Sequence, residues 1–260
     1  MSDIIKINGV RIAVSEAGSG QPMILIHGRG YSKEMMGRIS AHYAGKYHVF
    51  SYDVRGHGES DKPQRFTMDD DAEDLRALID YYGLEKPAVV GFSMGSYIAL
   101  KAAEKYPSLF SRIVLIGTKG GGSTSSTERI RDDAKMGGLS REQLAELMVR
   151  RVFAPQVTME EIAAFDREIA SPVKLTDENQ QAITRSMQNF DLMTDACRVE
   201  IPALVMTGEF DGMNPPEEGR KVAQALPNAR FEVIPGAGHI AFFENPNRVL
   251  ALMDEFLENT

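Results

Sequence analysis

Pro87-Ala88-Val89-Val90-Gly91-Phe92-Ser93-Met94-Gly95-Ser96-Tyr97-Ile98-Ala99-Leu100 changes hydrophobic period halfway along. Pro87 to Gly91 is short, apolar and β-branched, which predicts a strand covered on both faces, and Met94 to Tyr106 predicts a helix closed by Pro107. The same alternation extends to both sides. Ile4 to Ala17 reads as a hairpin turning on Asn8-Gly9, and Met23-Ile24-Leu25-Ile26-His27 as a second buried strand. Val49 to Asp53 is a third, and Thr67 caps a helix that Gly83 ends. Downstream come a strand from Arg112 to Gly117, another from Ala203 to Thr207, a helix from about Glu217 to Leu226, a strand from Arg230 to Ile234 and a closing helix from about Pro246 to Glu258. Between Thr118 and Asp195 the alternation breaks. Thr118 to Thr127, rich in Gly, Ser and Thr, is expected to be a flexible connection, and Glu128 to Asp195 reads as helical only, with breaks at Gly137-Gly138, Pro155 and Pro172. The expected architecture is α/β, a mostly parallel sheet with helices on both faces. Residues 1–118 and 198–260 form its core and 119–197 an inserted helical lid.

Composition agrees and narrows the partners. With 260 residues, 43% hydrophobic and 25% charged, the chain has an ordinary globular make-up and can bury a large core unaided. The lone Cys197 cannot form an internal bridge, and no charged-then-apolar leader opens the sequence, so a reducing, cytoplasmic setting is expected. No apolar run reaches the roughly 18 to 20 residues of a membrane span. A net charge of −8 and the absence of Trp argue against nucleic acid as a partner. A small-molecule substrate is the expected ligand, and oligomeric state is left open.

In a doubly wound sheet, ligands bind where loops leave the carboxyl ends of strands. Gly91-Phe92-Ser93-Met94-Gly95 lies at such a junction and matches the G-x-S-x-G nucleophile elbow, whose sharp turn needs small residues two positions either side of the serine. A serine hydroxyl needs a base to take its proton and a carboxylate to orient that base. Asp211 follows the strand ending at Thr207 and His239 follows the strand ending at Ile234, so Ser93, Asp211 and His239 occur in the chain order this architecture imposes. Glu209 and Glu244 are weaker carboxylate candidates. His57, in a Gly-flanked turn, is expected to hold a loop, and His42 and His48 to be surface or packing residues. The backbone N–H groups of Met94 and Arg29 are the expected oxyanion donors, with Gly28 and Gly30 letting the Arg29 loop pass close to the elbow. The Arg29 guanidinium has two readings, solvated or meeting an acidic substrate group. The lid methionines and phenylalanines are expected to pack helices rather than form a site.

Four motifs coincide in order: His27-Gly28-Arg29-Gly30, Asp53-Val54-Arg55-Gly56-His57-Gly58-Glu59-Ser60, Gly91 to Gly95, and Gly236-Ala237-Gly238-His239. On these the chain resembles the α/β-hydrolase superfamily over nearly its whole length. It is similar to small bacterial esterases, enol-lactone hydrolases and cofactor-free haloperoxidase or perhydrolase relatives. The resemblance implies an eight-stranded sheet, a lid between the sixth and seventh strands, and a serine acyl-enzyme mechanism needing no metal or organic cofactor. It implies a hydrolase of a carboxylic ester or lactone, with carbon–carbon bond hydrolysis, perhydrolysis and ligand sensing through a protein partner as alternatives. Ser32 to Gly37 lacks the tryptophan that haloperoxidase-like members often carry, so the resemblance supports halide or peracid chemistry less.

Overall fold

The computed structural model describes residues 3–258. The strands are β1 (Asp3–Ile7), β2 (Val10–Ala17), β3 (Gln21–Ile26), β4 (Tyr47–Tyr52), β5 (Ala88–Phe92), β6 (Arg112–Ile116), the two-residue β7 (Gly121–Gly122) and β8 (Phe190–Asp191), then β9 (Ala203–Gly208) and β10 (Ala229–Ile234). The helices are α1 (Gly37–Tyr43), α2 (Met68–Tyr82), α3 (Met94–Lys105), α4 (Ser126–Met136), α5 (Arg141–Val152), α6 (Met159–Glu168), α7 (Asp177–Ser186), α8 (Pro216–Ala225), α9 (Ala241–Glu244) and α10 (Pro246–Glu258). Eight strands form one sheet in the order β1-β2-β4-β3-β5-β6-β9-β10. The β1–β2 and β2–β4 pairs are antiparallel and all other neighbours are parallel.

The turn between β1 and β2 pairs Ile7 with Val10 across Asn8 and Gly9, both at positive φ (44° and 76°), as a tight primed turn requires. The middles of the central strands β3, β5, β6 and β9 are apolar because both of their faces are covered. Ile24 and Ile26 of β3, Val89 of β5, Ile113 and Leu115 of β6 and Val205 of β9 join one core with α2, α3 and α8. Met23 and Leu25, Val90 and Phe92, Val114 and Ile116, and Leu204 and Met206 point the other way, into a core with α1 and α10. Helix α2 starts on a Thr67–Asp70 capping box and stops at Gly83, whose left-handed φ of 62° ends it.

Helices α4 to α7 lie between β6 and β9, with turns at Gly137-Gly138, Pro155 and Pro172. Two expectations for this segment need correction. Thr118 to Thr127 is not a loose connection: Thr118 and Lys119 are buried, Ser125 caps α4, and Ser126 already begins it. The stretch read as helical to Asp195 instead leaves the helix after Ser186 and pairs Phe190–Asp191 against Gly121–Gly122. A pair of two-residue strands carries too little hydrophobic pattern to be seen in sequence. Helices α1 and α9, seven and four residues long, were likewise not legible.

The turn after β4 is held by buried charges. Arg55 grips Asp74 of α2 through Nε (2.8 Å) and Nη2 (2.6 Å), and Lys33 Nζ meets Asp53 (3.1 Å) and Glu59 (2.9 Å). Asp71, one turn before Asp74, has one carboxyl oxygen buried with no partner. Burial first, and the neighbouring Asp74 second, push its pKa well above the usual carboxylate range. Arg55→Met is expected to lower unfolding free energy by about 3 kcal/mol or more, because it strands the Asp74 charge in the interior; urea denaturation measures it. Asp71→Asn should act in the opposite sense. The native acid takes up its proton at higher pH than the unfolded one. Its stabilising effect is therefore complete in acid and lost as pH rises through the raised native pKa. The advantage of Asp71→Asn over the unsubstituted protein should thus be small near pH 4 and grow toward pH 8, which urea midpoints across that range would reveal.

Candidate active site

The turn after β5 is as sharp as the sequence demands. Ser93 sits at φ 50°, ψ −116°, outside the regions open to ordinary residues, and heads α3. Neighbouring glycines make this possible. A Cβ on Gly91 would be driven into the Gly95 carbonyl, and one on Gly95 into the Ile26 and His27 carbonyls at the end of β3. A Cβ on Gly28 would press against the Phe92 ring at 2.8 Å and lie 3.5 Å from Ser93 Cβ, so the Gly28-Arg29-Gly30 loop runs along the elbow.

The structure brings Ser93, His239 and Asp211 together. Ser93 Oγ is 3.0 Å from His239 Nε2, and His239 Nδ1 is 2.8 Å from Asp211 Oδ2. A carboxylate only accepts, so Nδ1 carries the proton and Nε2 presents its lone pair to the serine. The other Asp211 oxygen accepts from the backbone N–H groups of Met213 (2.9 Å) and Asn214 (2.8 Å). Both Asp211 and His239 are buried. Met94 follows Ser93 in the chain and Arg29 lines the same cavity as Ser93, and neither of their N–H groups donates to a carbonyl or side chain among the described residues. Helix α3 begins at Met94, so that N–H is one of the helix's free first-turn donors.

Of the other candidates, Glu209 accepts from the Gly236 N–H (2.9 Å), and Glu244 from the Ala154 (2.8 Å) and Gly238 (3.0 Å) N–H groups. Both hold the His239 loop in shape and neither meets the imidazole. His57 is buried, with Nδ1 3.1 Å from its own turn's Arg55 carbonyl and its ring edge-on to His27 at 5.1 Å. Burial, with His27 adding to it, holds its pKa well below the usual imidazole range, so it stays neutral. His42 and His48 pair with Asp254 and Glu16 at the surface.

The inserted helices contribute more than sequence reading suggests. The last turn of α5 is tied to both loops: His239 N–H donates to the Val152 carbonyl (2.6 Å) and Gly212 N–H to the Arg151 carbonyl (2.9 Å). Gln156 reaches the Gly236 carbonyl. A Cβ on Gly238 would run into the Val152 carbonyl and the Phe153–Ala154 backbone, and one on Gly212 would press on Arg151. Over Ser93 and His239 lies a cavity of about 330 Å³ that is also walled by Tyr31, Phe92, Thr127, Met148, Val152 and Met213. Thr127 lies in α4 and Met148 and Val152 in α5; the sequence placed Thr127 in a loose connection, and the helical spacing of Met148 and Val152 gave no hint of a role beyond packing.

Asn214 is the support that sequence reading missed. Its side chain donates to the Tyr97 hydroxyl (2.6 Å) and the Gly117 carbonyl (2.6 Å) and accepts from Ser126 Oγ (2.7 Å), joining α3, the end of β6 and α4 beneath Asp211. An asparagine in a Gly-Met-Asn-Pro turn reads as turn chemistry, and only the fold gives it buried partners. Asn214→Ala removes three hydrogen bonds to buried groups. It is expected to lower unfolding free energy by roughly 2 to 3 kcal/mol, measured by chemical denaturation.

Among the described residues no helix is long and apolar enough to cross a membrane, and no cluster of three His, Cys, Asp or Glu side chains could hold a metal ion. Comparison with known proteins extends these observations. BpoC of Mycobacterium tuberculosis, which carries a non-heme bromoperoxidase name, is 30% identical over 259 residues, covering 95% of this chain and 97% of its own. A thermophilic esterase from Thermogutta terrifontis superposes with a TM-score of 0.82 at 28% identity, covering 99% of this chain and 98% of its own. The enol-lactonase of Burkholderia xenovorans LB400 shares the fold, with a TM-score of 0.86 at 23% identity over 98% and 99% of the two chains. The alpha/beta hydrolase fold family model matches residues 21–246, and the chain belongs to that family.

Proposed function

We propose that the protein is a serine hydrolase that cleaves a carboxylic ester or lactone of a small, largely apolar substrate through an acyl-enzyme. The observation that carries this reading is the unbroken series Ser93 Oγ, His239 Nε2, His239 Nδ1, Asp211 Oδ2, at 3.0 and 2.8 Å, opening on a cavity walled mainly by apolar side chains. His239 accepts the Ser93 proton as Oγ attacks the substrate carbonyl carbon. Asp211 holds the ring and offsets the imidazolium charge that forms. The carbonyl oxygen becomes an oxyanion beside the Met94 and Arg29 N–H groups. When the tetrahedral intermediate collapses, His239 returns its proton to the departing alkoxide. Water then enters, gives a proton to His239 and attacks the acyl carbon, and Ser93 leaves with that proton while the acid is released. Every proton is accounted for within the pair, so the cycle draws on no metal or organic cofactor.

The similarity to BpoC gives a second reading, in which hydrogen peroxide replaces water in deacylation and releases a peracid. Monitoring bromide oxidation with peroxide and acetate separates it from hydrolysis. The main test is a panel of aryl esters of rising chain length, together with lactones, run on the unsubstituted protein and its variants. Ser93→Ala and His239→Ala are expected to lower kcat by about 10,000-fold or more, and Asp211→Asn by about 10,000-fold. Ester hydrolysis that survives Ser93→Ala unchanged, or none by the unsubstituted protein across the panel, would remove the proposal.

A further inference from the structure

Arg29 lies three residues past the end of β3, and its side chain is half-buried. A guanidinium carries five N–H donors. Here one hydrogen bond is made, from Nη2 to Thr184 Oγ1 of α7 at 2.7 Å, while Nε is buried with no partner. No carboxylate lies within ion-pairing distance of it among the described residues. The buried Arg55 shows the contrast, since both its Nε and Nη2 are met by Asp74. Burial lowers the Arg29 pKa, with Arg131 adding to that effect and Glu128 opposing it. A buried guanidinium N–H with no partner is costly in the free protein, and an incoming anion relieves that cost.

The position of Arg29 says where such an anion would come from. Arg29 and Gly30 line the cavity that contains Ser93 and His239, and they also line a second one of about 500 Å³ between the Ala170–Leu175 loop and α7. The charged groups lining that second cavity are Arg29 and Lys174, both cationic, in a protein whose net charge is −8. One end of a ligand can therefore reach the serine while the other meets a planar cation. The fork of an arginine matches a carboxylate with two parallel hydrogen bonds.

We propose that Arg29 is a specificity determinant, and that the preferred substrate is an ester or lactone carrying a second, ionised carboxylate remote from the scissile carbonyl. The inference rests on the hydrolase reading above and narrows it: the substrate body is apolar, its far end anionic. The competing role is a bolt that merely fastens the oxyanion loop to α7, in which case Arg29 variants change all substrates alike.

The test compares 4-nitrophenyl hemiesters of succinic, glutaric and adipic acids with 4-nitrophenyl alkanoates of equal acyl length. The quantity read is the ratio of kcat/KM between the two sets, for the unsubstituted protein, Arg29→Met and Arg29→Lys. The unsubstituted protein is expected to favour at least one hemiester about tenfold or more, through KM, and to lose that preference as sodium chloride rises from 20 to 500 mM. Arg29→Met should bring the ratio to about one or below, whatever happens to the absolute rates, and Arg29→Lys should keep part of it. A preference for the neutral esters, or a ratio that Arg29→Met leaves unchanged, overturns the proposal. If Arg29→Met does not fold, Arg29→Lys and the salt titration decide. Calorimetric binding of the free dicarboxylates to Ser93→Ala, and to Ser93→Ala combined with Arg29→Lys, separates this inference from its foundation. Binding that weakens with Arg29→Lys in the absence of any ester turnover keeps the recognition and discards the acyl-enzyme. Ser93-dependent turnover with no hemiester preference does the reverse.

Discussion

Backbone crowding at the end of β5 is the constraint from which the rest of the site follows. The chain must leave the strand, turn through an unfavourable φ of 50° at Ser93 and enter α3, all against the carbonyls of Ile26 and His27. Three glycines, Gly28, Gly91 and Gly95, remove the side chains that would prevent it. The strain is maintained by its surroundings: Ser93 N–H donates to the Ile116 carbonyl (2.8 Å), and its carbonyl accepts from the Ser96 N–H (2.9 Å) and hydroxyl (2.6 Å). The serine is thereby lifted above the sheet edge, where two other strand-to-loop junctions deliver Asp211 and His239.

A parallel sheet covered on both faces has no room for polar groups between its ends. The middles of β3, β5, β6 and β9 are consequently apolar, and polar side chains gather in the loops at one edge. Those loops need outside support to hold a hydrogen-bonded series within a few tenths of an ångström. Here they receive it twice. Asn214 ties the Asp211 turn downward to Tyr97 and Gly117, and the end of α5 ties both the Asp211 and the His239 loops upward through Arg151 and Val152. The inserted helices therefore both shape the cavity and fasten the groups beneath it. A shift of α5 would move the imidazole with it.

Much of this was legible without coordinates. The primed turn at Asn8-Gly9, the buried strands around Ile24 and Val89, the capped start of α2 at Thr67 and the elbow at Ser93 each follow from local chemistry: glycine tolerance of positive φ, two-faced burial, side-chain capping. What escaped were features without a local signature. The two-residue pair β7–β8 is made by segments some seventy residues apart. Met148 and Val152 read as packing residues and still line the cavity over Ser93. Asn214 reads as a turn residue, and Arg29 as one that could as well have been solvated.

The chain order of Ser93, Asp211 and His239 was thus written in the sequence, because strand, turn and helix periods place all three at the same edge of any sheet this pattern can build. That Asp211, and not Glu209 or Glu244, reaches the imidazole, and that the Arg29 side chain meets Thr184, are contacts only the folded chain supplies. Both depend on distances between segments remote in the chain: Asp211 lies 28 residues from His239, and Thr184 lies 155 residues from Arg29. Such distances come from how α5 and α7 settle over the sheet, and no local propensity encodes them.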